Sequence, residues 1–131
     1  MTSKEYLMQY RASMERTAEI EAHLRELKDE EFRLRDHEGR CSAMDAAVAK
    51  YVDACNEASK ELTDLAVLRA EIIENIRKIP NQKLRSVLFH KYISGETWEQ
   101  VAVKLHYSYR QTTRMHGSAL LAMKDVLECP S

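Results

Sequence analysis

Two arginines four residues apart, Arg110 and Arg114, stand in the string Tyr109-Arg110-Gln111-Thr112-Thr113-Arg114-Met115. On a helix this spacing puts both guanidinium groups on one face, where each can meet a guanine edge or a phosphate as a planar fork. Thr113 adds a hydroxyl and a methyl suited to a base edge or a thymine methyl, and Tyr109 adds a phenol that reaches a backbone phosphate. Lys104, Lys91, Arg85 and the backbone amides at Thr97 and Trp98 are further candidates for phosphate contacts, which set register rather than sequence. Together these nine positions form a candidate surface for double-stranded DNA. Trp98 also reads as a half-buried lid on the core.

Other chemistries find no residues to carry them. His37 and Cys41 form a lone His-x3-Cys, and His90, His106 and His116 are scattered, whereas a zinc site takes about four ligands. Neither a phosphate-cradling glycine loop nor a Gly-x-Ser-x-Gly nucleophile elbow occurs. No catalytic residue, metal or cofactor is therefore expected. Cys41, Cys55 and Cys129 are odd in number and lack a Cys-x-x-Cys, which predicts free thiols.

The chain around this surface reads as helix. With 131 residues, 44% apolar and 31% charged, and only 3 Gly and 2 Pro, the composition disfavours a disordered chain and a turn-rich β architecture. The sequence has no run of about 18 apolar residues and no export-signal pattern at its start, so a cytoplasmic protein without membrane contact is expected. Charge is uneven along the chain. Residues 1–79 hold 13 Lys+Arg against 17 Asp+Glu, whereas residues 80–131 hold 7 against 4, which places the polyanion-facing surface in the C-terminal part.

Up to Gly39 the apolar or small residues Leu7, Tyr10, Met14, Thr17, Ile20, Leu24, Leu27 and Leu34 recur at steps of three and four, with Glu31 in the one missing seam position. A second run, Met44, Val48, Tyr51, Cys55, Ala58, Leu62, Leu65, Arg69, Ile72, Ile76 and Ile79, alternates four and three without a break. Gly39 and Ser42 supply a helix end and a cap between them, predicting an antiparallel coiled-coil hairpin over 1–79. Such a hairpin serves as a spacer, a rigid arm or an association element. The charges at its seam favour pairing of hairpins into a homodimer.

After Pro80 the pattern changes. Asn81 opens a helix through Ile93 with Leu84, Val87, Leu88 and Tyr92 on one face. Thr97 with Gln100, and Ser108 with Gln111, are two capping-box pairs around a turn at His106-Tyr107. Two capped helices joined this way predict a helix-turn-helix over 80–131, with Leu88, Val101, Ala102, Leu105 and Met115 in its core.

The segment from Thr97 to Met115 with Ala119-Leu120 resembles region 4, the promoter-recognition region of bacterial sigma factors. The longer string from Leu84 through Tyr92-Ile93-Ser94-Gly95 and Thr97-Trp98 is similar to small phage regulators of the ArpU and RinA type. Two positions depart from that pattern, Thr112 at a core-facing site and Gly117 inside the recognition helix. The resemblance implies an all-α, sequence-specific transcriptional regulator of phage or prophage type that binds DNA and contacts RNA polymerase. The competing expectation is a non-catalytic module that docks on polymerase or another regulator without touching DNA.

Overall fold

A computed structural model describes residues 1–35 and 41–129, with the side chains of residues 35, 41 and 42 left aside. All regular structure among them is helical: α1 Ser3–Arg35, α2 Cys41–Arg77, α3 Gln82–Leu88, α4 Trp98–Leu105 and α5 Tyr109–Glu128. A five-residue π turn, Phe89–Ile93, continues α3. The expected turn around Gly39 lies outside the described residues, as do His37 and Pro130; α2 already begins at Cys41, so Ser42, expected as its cap, lies inside the helix. None of the described helices is long and apolar enough to cross a membrane.

Packing divides the chain into one unit of Met1–Ser13 with Val67–Ser131 and another of Met14–Ala66. The contacts thus draw no division at residue 80: the first turns of α1 and the last turns of α2 belong to the C-terminal unit. Within that unit Tyr6, Leu7, Ile72, Ile76 and Ile79 share one core with Leu88, Tyr92, Ala119 and Met123. Leu7, Ile72, Ile79, Leu88 and Met123 are fully buried.

Within each unit α1 and α2 run antiparallel. In the first, the Asn75 side-chain amide donates to the Tyr6 hydroxyl at 2.7 Å and the Arg69 guanidinium donates to the Ser13 hydroxyl at 2.8 Å. In the second, Arg16 pairs with Glu61 at 2.7 Å and the Lys28 ammonium lies 5.0 Å from the centre of the Tyr51 ring. Both exposed pairings tie long side chains across the seam for little net stability.

The seam departs from its expected course at Met14. Met14 is 41% exposed, whereas Ser13 is 3% exposed. Arg69 explains the shift: a charged residue at a seam position needs a hydrogen-bond acceptor across the interface, and the small hydroxyl of Ser13 supplies it. Glu31, the other seam charge, is likewise buried and ion-paired to Lys28 at 3.5 Å.

The α3 segment also differs from the continuous α-helix expected through Ile93. The Ser94 amide reaches the Phe89 carbonyl, an i→i−5 bond that widens the turn. Across this wider turn Leu88 and Tyr92, four residues apart, both stay buried while Phe89 is 43% exposed.

Gly95 closes this segment with φ 71°, in the left-handed region, and a Cβ there would lie 2.3 Å from the Arg11 guanidinium. That guanidinium donates to the Ile93 carbonyl at 3.0 Å, tying the start of α1 to the loop before α4. Only glycine suits both demands.

A buried side chain shared by α1, α2 and the C-terminal helices should matter far more than an exposed one on the same helices. Ile72→Ala is expected to destabilise by about 2–5 kcal/mol, and Leu121→Ala, at a 67% exposed site, by well under 1 kcal/mol. Urea unfolding followed by circular dichroism checks both; equal midpoints would contradict the shared core.

Candidate nucleic-acid interface

The surface carrying Arg110 and Arg114 is built from two short caps and one turn. Thr97 caps α4: its hydroxyl accepts from the Gln100 amide at 3.2 Å and its own amide donates to the Gln100 side chain at 2.9 Å. Ser108 and Gln111 repeat this at the head of α5, at 3.1 and 3.0 Å. Each box satisfies two amides that a helix start leaves unpaired.

Between the boxes, His106 takes a left-handed conformation with φ 62°. The Tyr107 amide bonds the Ala102 carbonyl and the His106 amide bonds the Val103 carbonyl, the paired closure of a Schellman end. The start of α5 is thus fixed by backbone geometry as well as by packing.

Its buried side is equally defined. Thr112 is fully buried, and its hydroxyl donates to the Ser108 carbonyl at 2.9 Å, so a polar residue sits in the core without an unpaired group. Ala119 and Met123 extend the buried stripe, and α5 runs through Gly117 without interruption. Val101 and Ala102 are buried beneath it, whereas Leu105 and Met115 are only partly so.

The expected contact residues fall into two groups. Tyr109, Arg110 and Arg114 are exposed on the first two turns of α5, with Thr113 half-buried beside them. The Thr113 hydroxyl donates to the Arg110 carbonyl at 3.0 Å, which leaves its methyl as the group to present outward. The remaining positions are already engaged. Arg85 is the clearest departure: its guanidinium donates to the Ile79 carbonyl at 2.6 Å and lies 3.4 Å from the Pro80 carbonyl, closing the end of α2 rather than facing solvent. The Thr97 amide is held by Gln100, as above.

Lys91 lies 4.7 Å from the centre of the half-buried Trp98 ring, a cation–π contact. Lys104 is ion-paired at 2.5 Å to Glu96, which also lies 3.3 Å from His90 Nδ1. The Lys104 ammonium holds the Glu96 carboxyl below the usual range, burial opposes this, and His90 adds to the lowering. A phosphate reaching Lys104 shares its ammonium with that carboxylate.

Two residues join the surface that spacing alone did not single out. Lys83, at the start of α3, lies 6.0 Å from the centre of the Tyr107 ring in the turn ahead of α5. No local pattern links positions 83 and 107. His116 lies against Trp98, with ring centres 4.5 Å apart, and stacks on Tyr92. Here a signal existed, since Thr112, His116, Ala119 and Met123 step by four, three and four along the buried side of α5.

Among the described residues, His116 is the one strongly shifted group. Burial, then the charges of Lys4 and Lys91, push it down to about 4. The ring is therefore neutral at pH 7, and its Nε2 shares a hydrogen bond of 2.7 Å with the Tyr92 hydroxyl. Burial also raises the Tyr92 hydroxyl above its ordinary value. Among the described residues no group of three or more His, Cys, Asp or Glu side chains could hold a metal ion, and Cys55 and Cys129 are free.

The unfolded chain protonates His116 near pH 6.5, and the folded chain near pH 4. Between these values the unfolded state binds more protons, so the residue lowers stability as the pH falls through that window. Melting curves of His116→Phe should lose this part of the pH dependence and keep the rest; identical slopes in both proteins would contradict a buried neutral ring. No family model, characterised protein or solved structure matches the chain.

Proposed function

We propose that the chain is a sequence-specific DNA-binding transcriptional regulator of the sigma-region-4-like phage type, with α4 and α5 acting as a helix-turn-helix. The observation that carries this reading is the start of α5. Its first two turns are capped and anchored on their inner side by Thr112, yet present Tyr109, Arg110 and Arg114 outward. In this role Arg110 and Arg114 read guanine edges or grip phosphates, the Thr113 methyl touches a thymine, and Tyr109 meets the backbone. Lys104, Lys91, Lys83 and the Trp98 amide flank them as phosphate contacts. The pair of helices over Met14–Ala66 serves as a coiled-coil arm for a protein partner such as RNA polymerase. No step of this function needs catalysis, metal or cofactor.

A duplex selected from a random library by the full-length chain provides the test. Arg110→Ala and Arg114→Ala should each weaken binding to it by about 1–3 kcal/mol with little change in melting temperature. Lys104→Ala should weaken all duplexes alike and flatten the salt slope by about one, and Glu96→Gln, which frees Lys104, should strengthen all duplexes alike. Absence of salt-dependent duplex binding, alongside retention of polymerase in a pull-down lost on mutating the same face, would favour the docking module instead.

A further inference from the structure

Arg85 carries its charge without a counter-ion. Its guanidinium is half-buried, yet among the described residues it meets no carboxylate, only the Ile79 and Pro80 carbonyls through Nη1. Its Nε and Nη2 keep their N–H donors. A guanidinium withdrawn from water in this way calls for an anion, and the pinned Nη1 holds the rest of the fork still.

The groove that receives this fork lies between the last turn of α2 and the outer side of α3, and has a volume of about 290 Å³. Arg77 supplies a second cation from the α2 wall. Its own partner, Glu74, is 3.7 Å away and both side chains are largely exposed, so that pair is loose. Gln82 and Ser86, four residues apart, add an amide and a hydroxyl to the α3 wall. No carboxylate lines the groove, and His90 at its end faces Glu96 through Nδ1. Ile76 and the 43% exposed Phe89 contribute apolar surface beside these polar groups.

Cations on two separate helices suit a tetrahedral anion. A planar carboxylate is satisfied by one fork, whereas the oxygens of a phosphate accept from several directions. Apolar surface next to the cations suits a phosphate joined to a sugar rather than a bare ion. We propose that this groove binds the phosphate of a nucleotide, either free or within a nucleic-acid strand. Arg85 grips its oxygens, Arg77 adds a second charge, Gln82 and Ser86 donate from the α3 wall, and Phe89 meets the sugar.

Amide chemical shifts of the full-length chain titrated with adenosine 5′-monophosphate test this. Shifts are expected at residues 77 and 82–90 with half-saturation at or below about 1 mM, and none there with adenosine, which lacks the phosphate. Arg85→Lys keeps the charge but loses the fork, and should weaken nucleotide binding by about tenfold. Arg77→Gln, at an exposed site, should weaken it by about threefold or more with the melting temperature unchanged, so a folding defect in the first variant does not decide the matter. A duplex of arbitrary sequence separates the two sources. If the phosphate belongs to a strand, Arg77→Gln lowers the salt slope of duplex binding by about one; if it belongs to a free nucleotide, that slope stays and duplex leaves the nucleotide-induced shifts in place. The proposal is overturned by an equal response to adenosine, or by no nucleotide response at these residues together with a salt slope that Arg77→Gln does not change. The nucleotide titration needs no duplex, so its outcome is separate from the reading of α5.

Discussion

Everything on the candidate DNA surface depends on the burial of Leu7, Ile72, Ile76 and Ile79 against Leu88, Tyr92 and Met123. Two short helices and a turn have too little apolar area to fold on their own account. The C-terminal unit supplies the shortfall by taking in the first turns of α1 and the last turns of α2. Arg11 adds a directional tie to the same joint, reaching the Ile93 carbonyl across a glycine that leaves room for it. The long helices are thus part of the scaffold that aims α5.

With the core in place, local chemistry sets the fine position of the exposed turns. Capping boxes at Thr97 and Ser108 fix where α4 and α5 begin, and the left-handed His106 fixes the angle between them. The lysines nearby are held rather than free: Lys91 by Trp98, Lys83 by Tyr107, Lys104 by Glu96. Aromatic faces and one carboxylate keep these cations from wandering, while Arg110 and Arg114 remain exposed. A surface organised in this way concentrates its uncommitted charge on one helix turn, which is where base reading requires it.

Much of this was legible in residue order because the signals are local. Asn81, Thr97 and Ser108 cap the helices that their neighbours predict, and Thr112 and Ala119 mark the inner side of α5. What escaped depends on contacts far apart in sequence. Ser13 replaces Met14 in the seam because Arg69, on the other helix, needs an acceptor. Arg85 turns inward because the end of α2 leaves carbonyls at Ile79 and Pro80 to satisfy. The π turn at Phe89 left no trace in the pattern, because Leu88 and Tyr92, four residues apart, share a face of an ordinary α-helix as well.

The central claim is that the chain meets duplex DNA through the capped start of α5. Amide chemical-shift mapping of the full-length protein, titrated with a duplex it selects, addresses that claim directly. The account predicts that shifts concentrate at Trp98 and across Tyr109–Arg114, with residues 14–66 unmoved. Shifts confined to residues 14–66, or none at saturating duplex, would contradict it.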